Sequence, residues 1–139
     1  SSCHLSYSPS YCLPQQHTVI STTKAPAAVG PYSQAIKAGN TVYCSGQIGL
    51  DPATGTMVEG VIAQANRAFD NLEAVLTQAG AKMTDVVKFT IFLTDINDFA
   101  QVNEVMASHV PTPYPARSCM QVAALPKGAL VEVEAIAVI

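Results

Sequence analysis

The sequence predicts one α+β domain with the element order ββαβαββ, in which two helices pack on one face of a sheet. Runs rich in β-branched and aromatic residues alternate with two segments of helical periodicity. Hydrophobic residues make up 49 % of the chain and charged residues 12 %, a balance that supports a packed core and excludes disorder. The length of 139 residues suits one such core.

The first predicted element is a β-hairpin. Residues 32–37 and 41–45 are short extended runs, and the sequence Ala-Gly-Asn between them is a turn signal. Residues 1–17 differ from the rest, because they are rich in Ser, Tyr, Pro and Gln and show no periodicity. We interpret residues 1–17 as an N-terminal extension that is either flexible or foreign to the domain, with a transit-peptide remnant as a further alternative, and residues 18–139 as the domain.

Both helices are predicted from spacing. Residues 61–79 carry apolar side chains at intervals of three and four, and Gly80 is well placed to end this helix. The second predicted helix covers residues 98–108, with Asp95 or Asn97 as its N-cap.

Three further strands are predicted at residues 86–93, 116–122 and 130–139. In the last of them Val131 and Val133 alternate with Glu132 and Glu134, so the two carboxyl groups share one face. Two helices cannot cover both faces of this sheet, and the strands are apolar on both. We therefore expect the uncovered face to meet another sheet across a subunit boundary.

The composition argues against three classes of protein: nucleic-acid-binding, membrane-spanning and structural zinc proteins. The net charge is −3, and the five lysines and two arginines do not cluster, which argues against nucleic-acid binding because phosphate contacts need a basic surface. No apolar run approaches the roughly 20 residues that span a bilayer. The four cysteines form no CxxC pair, which argues against a structural zinc site. We interpret them as free thiols of a reducing compartment, and we expect the cytoplasm, with a mitochondrion or a plastid as the alternative.

Arg117 and Glu134 are the strongest candidates for catalytic or ligand-binding residues. Arg117 lies at the head of a strand, and its planar guanidinium fits a carboxylate. Glu134 lies in an apolar strand, where a carboxylate must be paired or have a functional role. The alternative is a structural ion pair of Arg117 with Glu132 or Glu134, and the residues alone leave both interpretations open.

Other candidates are weaker. Gly46, which follows Ser45 at a strand end, would let the backbone approach a ligand, but an ordinary turn explains it equally well. His109 lacks an evident orienting partner, and we interpret it as a surface or packing residue. Cys119 lacks a His-Asn or His-Asp set, which argues against a thiol-protease mechanism.

Four segments together resemble the RidA family, also called YjgF. They are APAAVGPYSQA at 25–35, SGQI at 45–48, NDFAQVN at 97–103 and PARSCMQVAALPKGALVEVEAIA at 115–137. The last motif is long and strictly spaced, and the resemblance covers residues 18–139. The sequence departs from the family at Met106, His109 and Val110, where aromatic residues are common.

The resemblance implies an α+β fold like that of the bacillus-type chorismate mutase, and homotrimers with sites in the clefts between subunits. It also implies hydrolysis of 2-iminopropanoate and 2-iminobutanoate to 2-oxo acids and ammonia, without a cofactor or a metal. Arg117 matches the arginine that holds the substrate carboxylate, and Glu134 matches the glutamate that activates water. The other matching pocket positions are Tyr32, Ser45, Gly46, Asn103 and Cys119.

Two alternative functions are weighed against this one. The first is a ribonuclease or translation inhibitor, and the acidic charge balance argues against it. A non-catalytic metabolite-binding or chaperone-like module would be favoured if either Arg117 or Glu134 were missing, and both are present.

Overall fold

A computed structural model describes residues 17–139 of the chain. Within them lie six strands and two α-helices, joined by short 3₁₀ turns. The elements are β1 His17–Ile20, β2 Ala35–Ala38, β3 Thr41–Gln47, α1 Val61–Gln78, β4 Val86–Leu93, α2 Phe99–His109, β5 Ala116–Gln121 and β6 Val131–Val138. The predicted α+β class is confirmed.

The strands form one sheet in the order β1-β2-β3-β6-β4-β5. All neighbouring strands are antiparallel except β4 and β5, which are parallel. A parallel pair requires a crossover connection, and α2 supplies it. The last strand, β6, lies between β3 and β4 at the centre of the sheet, so both of its edges are paired.

The predicted order ββαβαββ lacks one strand, because β1 precedes the hairpin and the order is βββαβαββ. The sequence HTVI is only four residues long and three of its side chains are exposed, so it shows almost no alternation. Pairing with β2, from His17 opposite Ala38 to Ile20 opposite Ala35, holds it in the sheet. The extension was assigned to residues 1–17; His17 lies in β1, and the rest of that interpretation falls outside the described residues.

Both helices pack on the same face of the sheet, as predicted. Phe69 and Leu72 of α1 are fully buried against Phe89 of β4 and Val133 of β6. The rings of Phe69 and Phe89 meet edge to face with centroids 5.7 Å apart, a favoured aromatic geometry. Along β6 buried and half-buried side chains alternate, which confirms that its valines face the helices.

Buried amides attach α1 to the loops beside the sheet. The side-chain amide of Asn71 donates to the carbonyls of Ile48 and Leu50 at 3.2 and 2.9 Å. The side-chain oxygen of Gln64 accepts from the backbone N–H of Leu130 at 2.8 Å. These bonds satisfy backbone groups that would otherwise be buried without partners, and they fix the segments after β3 and before β6.

Across residues 17–139, neither α1 nor α2 combines the length and the apolar character that crossing a bilayer requires.

Candidate active site

One cavity of about 590 Å³ lies beside the ends of β3 and β6. Its walls include side chains from the loop before β2, from the end of β3, from the turn before β6 and from β6 itself. The polar and aromatic members are Tyr32, Ser45, Gln47, Lys127, Glu132 and Glu134. Gly46 contributes backbone to the same wall. This volume is within the range of small-molecule sites.

An irregularity in β3 brings Ser45 and Gly46 to this cavity. The register of β3 against β6 shifts between Cys44 and Gln47, which places the two residues in a β-bulge. A bulge redirects side chains and often occurs at a site. The Ser45 hydroxyl donates to the Ser33 carbonyl at 2.6 Å, and its backbone N–H donates to the Gln34 carbonyl at 2.9 Å. Ser45 thus holds the loop that carries Tyr32.

The absence of a side chain at Gly46 is required by the carboxyl group of Glu132. A Cβ atom built at Gly46 would overlap that carboxyl group. Glycine therefore lets Glu132 lie directly against the backbone of β3, at the edge of the cavity.

Glu132 and Glu134 project from the same face of β6 into this cavity. Burial raises the pKa of the Glu132 carboxyl above its ordinary value, and the neighbouring Glu134 carboxylate raises it further. Within residues 17–139 the salt bridge found is that of His109 with Asp70. Neither glutamate pairs with Arg117 there, so the structural ion pair considered as an alternative is not formed within the described chain.

Arg117 lies in a second cavity, of about 410 Å³, whose wall also includes Asn103, Met106 and Tyr114. Its guanidinium donates to the side-chain oxygen of Asn103. The guanidinium carbon lies 5.0 Å from the centre of the Phe99 ring, within the range of a cation–π contact. Side chains of α2 thereby orient the guanidinium, while Arg117 as a whole stays exposed.

Arg117 and Glu134 lie on opposite faces of the sheet. Arg117 is paired with Phe89 of β4, and Phe89 points into the core beneath the helices. Glu134 is paired with the next residue, Thr90. Because successive residues of a strand point to opposite faces, Glu134 points away from the helices. The chain brings Tyr32, Ser45 and Gly46 together with Glu134, and Asn103 together with Arg117, but it does not unite the two groups.

Cys119 follows Arg117 by two residues on the same face of β5 and packs against the core. Burial raises the pKa of the Cys119 thiol, and the Arg117 guanidinium offsets part of this effect. A thiol with a raised pKa is a poor nucleophile at neutral pH. Cys119 and Cys44 are both free.

His109 has partners that the sequence did not reveal. Its Nε2 lies 2.8 Å from the side-chain oxygen of Asn66, and its ring stacks on Phe69 with centroids 5.4 Å apart. Its Nδ1 lies 3.7 Å from Asp70. These contacts join α2 to α1, which agrees with the packing role assigned to His109.

Sequence reasoning missed two residues that shape the first cavity. Lys127 adopts a left-handed backbone with φ of 56° in the turn before β6, and it lines the cavity. Gln34 is buried, and its side-chain amide bonds to Thr22 and Pro26, which fixes the segment before the cavity. A φ above zero at a lysine has no signal in sequence beyond the Pro-Lys-Gly turn itself, and although Gln34 lies in the matching segment 25–35, nothing there indicates that its side chain is buried.

The fold and its cavities define a small α+β protein with open sites on both faces of one sheet. Residues 22–139 match the family described as Endoribonuclease L-PSP, and the chain belongs to this family.

Several relatives are similar over most of their length. The 2-iminobutanoate/2-iminopropanoate deaminase of Capra hircus is 54 % identical over 121 residues, covering 86 % of this chain and 88 % of the relative. The crystal structure of RidA from an Antarctic Psychrobacter bacterium is 56 % identical with a TM-score of 0.86, covering 88 % of this chain and 99 % of that chain. A structure of Escherichia coli TdcF with bound serine is 44 % identical with a TM-score of 0.83, covering 88 % and 98 %. The resemblance to RidA is confirmed.

Proposed function

We propose that this chain hydrolyses 2-iminobutanoate and 2-iminopropanoate to the corresponding 2-oxo acids and ammonia. The observation that carries the proposal is the 54 % identity, over 86 % of the chain, to a relative named for this activity. The presence of Arg117 and Glu134 in two open cavities supports it.

Arg117 is the group that holds the substrate carboxylate. A guanidinium offers two parallel N–H donors to a carboxylate, and it keeps its charge at any physiological pH. Asn103 and Phe99 restrict the orientation of Arg117 before a ligand arrives, which lowers the entropy lost on binding. The TdcF structure contains serine, an amino acid whose carboxylate is of the kind that Arg117 would bind.

Glu134 is the group that activates water. As a carboxylate it takes a proton from water while the water oxygen bonds to the imine carbon. The imine carbon is already electrophilic, so the protein mainly contributes orientation of the acid, the water and the C=N bond. The cavity wall at Ser45 and Gly46 limits the approach of the substrate to Glu134.

A complete site on this proposal takes Arg117 from one copy of the chain and Glu134 from another. Their separation on opposite faces of the sheet supports this arrangement. The face away from the helices also exposes large apolar side chains, among them Tyr43 at 51 %, Val138 at 46 % and Met120 at 41 %. Such a surface favours burial against a partner. We propose a homotrimer in which these faces meet and the sites lie between subunits.

The test is ammonia release in a coupled reaction with threonine dehydratase and threonine, which generates 2-iminobutanoate. Wild-type protein should accelerate ammonia release above the spontaneous rate. Arg117→Ala should lose most of this acceleration, because the substrate carboxylate loses its partner, while its melting temperature changes little at this exposed position. Lys82→Ala, which removes a positive charge at an exposed position outside both cavities, is the control. Full activity of Arg117→Ala would contradict the site assignment.

The family description names a second candidate, an endoribonuclease. The net charge of −3 opposes it, because binding of RNA depends on neutralising phosphates. RNA cleavage that falls steeply with salt and persists in Arg117→Ala would favour the nuclease over the deaminase.

A further inference from the structure

We propose that Gln47 is a specificity-determining residue of the first cavity, and that its side-chain amide binds a carboxamide group at the end of the substrate side chain. The inference rests on the proposed deaminase function and deepens it, because it names the 2-imino acid of asparagine as a preferred substrate. The segment SGQI at 45–48 and the names of the relatives assign no role to this side chain.

Gln47 differs from the other buried polar side chains in its hydrogen bonds. Within residues 17–139 four polar side chains are buried, and three of them, Gln34, Gln64 and Asn71, bond to backbone groups. Gln47 is only 6 % exposed, yet its amide bonds to no residue of the described chain. Burial of an amide without partners is unfavourable, so an unpaired amide at this position needs a reason other than stability.

The amide of Gln47 opens into the first cavity. Among the described residues, no side-chain nitrogen or oxygen that is shut off from solvent lacks a hydrogen-bond partner, so the unpaired Gln47 amide must reach solvent. The cavity that Gln47 lines is the first one, beside the ends of β3 and β6. The two N–H donors of the amide and its carbonyl oxygen are therefore available to a ligand in this cavity.

Gln47 enters this cavity from a different side than the two glutamates. It is paired with Val133, which is buried beneath the helices, whereas Glu132 and Glu134 project from the opposite face. Because paired residues of neighbouring strands point to the same face, Gln47 approaches from the helix side at the end of β3. On the proposed function Glu134 lies at the imine carbon and Arg117 holds the carboxylate. The imine nitrogen is one bond from that carbon, so the substrate side chain is the part that extends to Gln47.

The cavity has an apolar wall and room for a longer side chain. Pro26, Val29, Ile48 and Leu50 line it together with Gln47, and methylene groups of a ligand can pack against such side chains. Its volume is about 590 Å³, within the range of roughly 300–1,000 Å³ that encloses drug-sized ligands. A four-carbon acid would leave part of this space empty.

A neutral carboxamide is the group that complements Gln47 best. Two carboxamides can exchange a pair of hydrogen bonds, in which an N–H of each donates to the carbonyl oxygen of the other. A carboxylate at the end of the side chain would be repelled by Glu132 and Glu134 in the same cavity. Lys127 of this wall is exposed, which weakens its attraction for an anion. An apolar side chain of the same shape would leave the Gln47 amide unpaired.

The test compares two substrates of nearly the same shape, the imines of asparagine and leucine, which an L-amino-acid oxidase generates in the assay. Each rate is expressed as the acceleration over spontaneous hydrolysis of the same imine, which removes the difference in their intrinsic reactivity. We expect wild-type kcat/KM for the asparagine imine, in these terms, to exceed that for the leucine imine about tenfold, as one to two hydrogen bonds would give.

The decisive variant is Gln47→Met, which nearly keeps the length of the side chain and removes its amide. We expect the preference for the asparagine imine to disappear in this variant. The acceleration of 2-iminobutanoate hydrolysis should stay as in the wild type, because its side chain carries no group that bonds to the amide. Gln78→Met, the same change at an exposed position of α1, is the control and should keep the preference.

The outcomes separate this inference from the proposed function. Equal acceleration of both imines by the wild type, or a preference that survives in Gln47→Met, overturns the role of Gln47, while acceleration of 2-iminobutanoate hydrolysis still supports the deaminase. An equal loss with all three imines also overturns it, because Gln47 would then serve the common reaction or the fold. If the wild type accelerates the hydrolysis of no imine, the proposed function fails and this inference with it.

If Gln47→Met does not fold, Gln47→Asn decides. This variant keeps the amide but withdraws it by one methylene group from the cavity. The preference for the asparagine imine over the leucine imine should fall, and an unchanged preference overturns the proposal.

Discussion

The two faces of the sheet differ in what their side chains contribute. The face beneath the helices is filled by side chains such as Phe89 and Val133 that are fully buried. The opposite face carries Glu132, Glu134 and Thr90, which are half-buried, among exposed apolar residues. Alternation along β4 and β6 produces this difference within single strands. Stability is therefore expected to depend mainly on the helix-covered face, whereas the proposed site draws Arg117 from that face and Glu134 from the other.

The largest expected effect lies on the helix-covered face. Phe89→Ala removes a fully buried ring that contacts Phe69, and we expect the free energy of unfolding to fall by about 3–5 kcal/mol. The matched control is Thr90→Ala, one residue further on the other face, which should change stability by less than about 1 kcal/mol. Denaturant unfolding of the two variants measures the difference, and equal losses would contradict the comparison.

A smaller effect, on substrate binding, is expected at Asn103 in the second cavity. Asn103→Ala removes the hydrogen-bond partner of the Arg117 guanidinium, so the guanidinium would have to be ordered when the substrate binds. We expect KM for the imine to rise about tenfold, which corresponds to about 1.4 kcal/mol, with kcat nearly unchanged. Steady-state kinetics test this, with Gln101→Ala on the exposed part of α2 as the control. A fall in kcat at constant KM would show instead that Asn103 acts in the chemical step.

The smallest effect concerns the stability contribution of Glu132. Because its pKa is raised in the folded chain from the ordinary value of 4.5, the folded state binds more protons than the unfolded state above that value. Stability conferred by the protonated form is fully present below pH 4.5 and is lost as the pH rises through the folded pKa. Glu132→Gln should therefore melt at a higher temperature than the wild type at pH 7, and the gap should close toward pH 4.

Melting curves at several pH values measure this gap, and Glu73→Gln, the same change at an exposed position of α1, provides the control. A lower melting temperature for Glu132→Gln at pH 7 would mean that the ionised carboxylate stabilises the fold. A higher one would mean that the ionised Glu132 carboxylate destabilises the fold at pH 7.

The sequence correctly predicted those elements of the fold that show a regular spacing of apolar residues. The long helix, the alternation in β6 and the pairing of two helices with one face all follow from residue spacing, and each agrees with the structure. The strand β1 was missed because four residues with three exposed side chains give no period. Its formation depends on pairing with β2, which is 15 residues or more away in the chain and invisible in a local pattern.

The sequence named the candidate site residues, whereas the geometry that arranges them could not be read from it. The motif around Arg117 and Glu134 marked both positions, and the alternation of strands marked Glu132 as a neighbour of Glu134. The register of β4 against β5 and β6 decides that Arg117 and Glu134 point to opposite faces, and register is set by tertiary contacts. The close approach of Glu132 to Gly46 depends on a bulge in β3 that no pattern in the sequence predicts.

Gln34 fastens the segment ahead of the first cavity through one amide. Its side chain accepts from the Thr22 backbone N–H at 2.7 Å and donates to the Thr22 and Pro26 carbonyls at 3.1 and 2.7 Å. Its own carbonyl accepts from Ser45, so β3 and this segment are tied through the same residue. Among related chains, substitutions between positions 22 and 34 are therefore expected to be correlated. Insertions in this segment should be tolerated poorly, and insertions at the exposed turn around Gly55 far better.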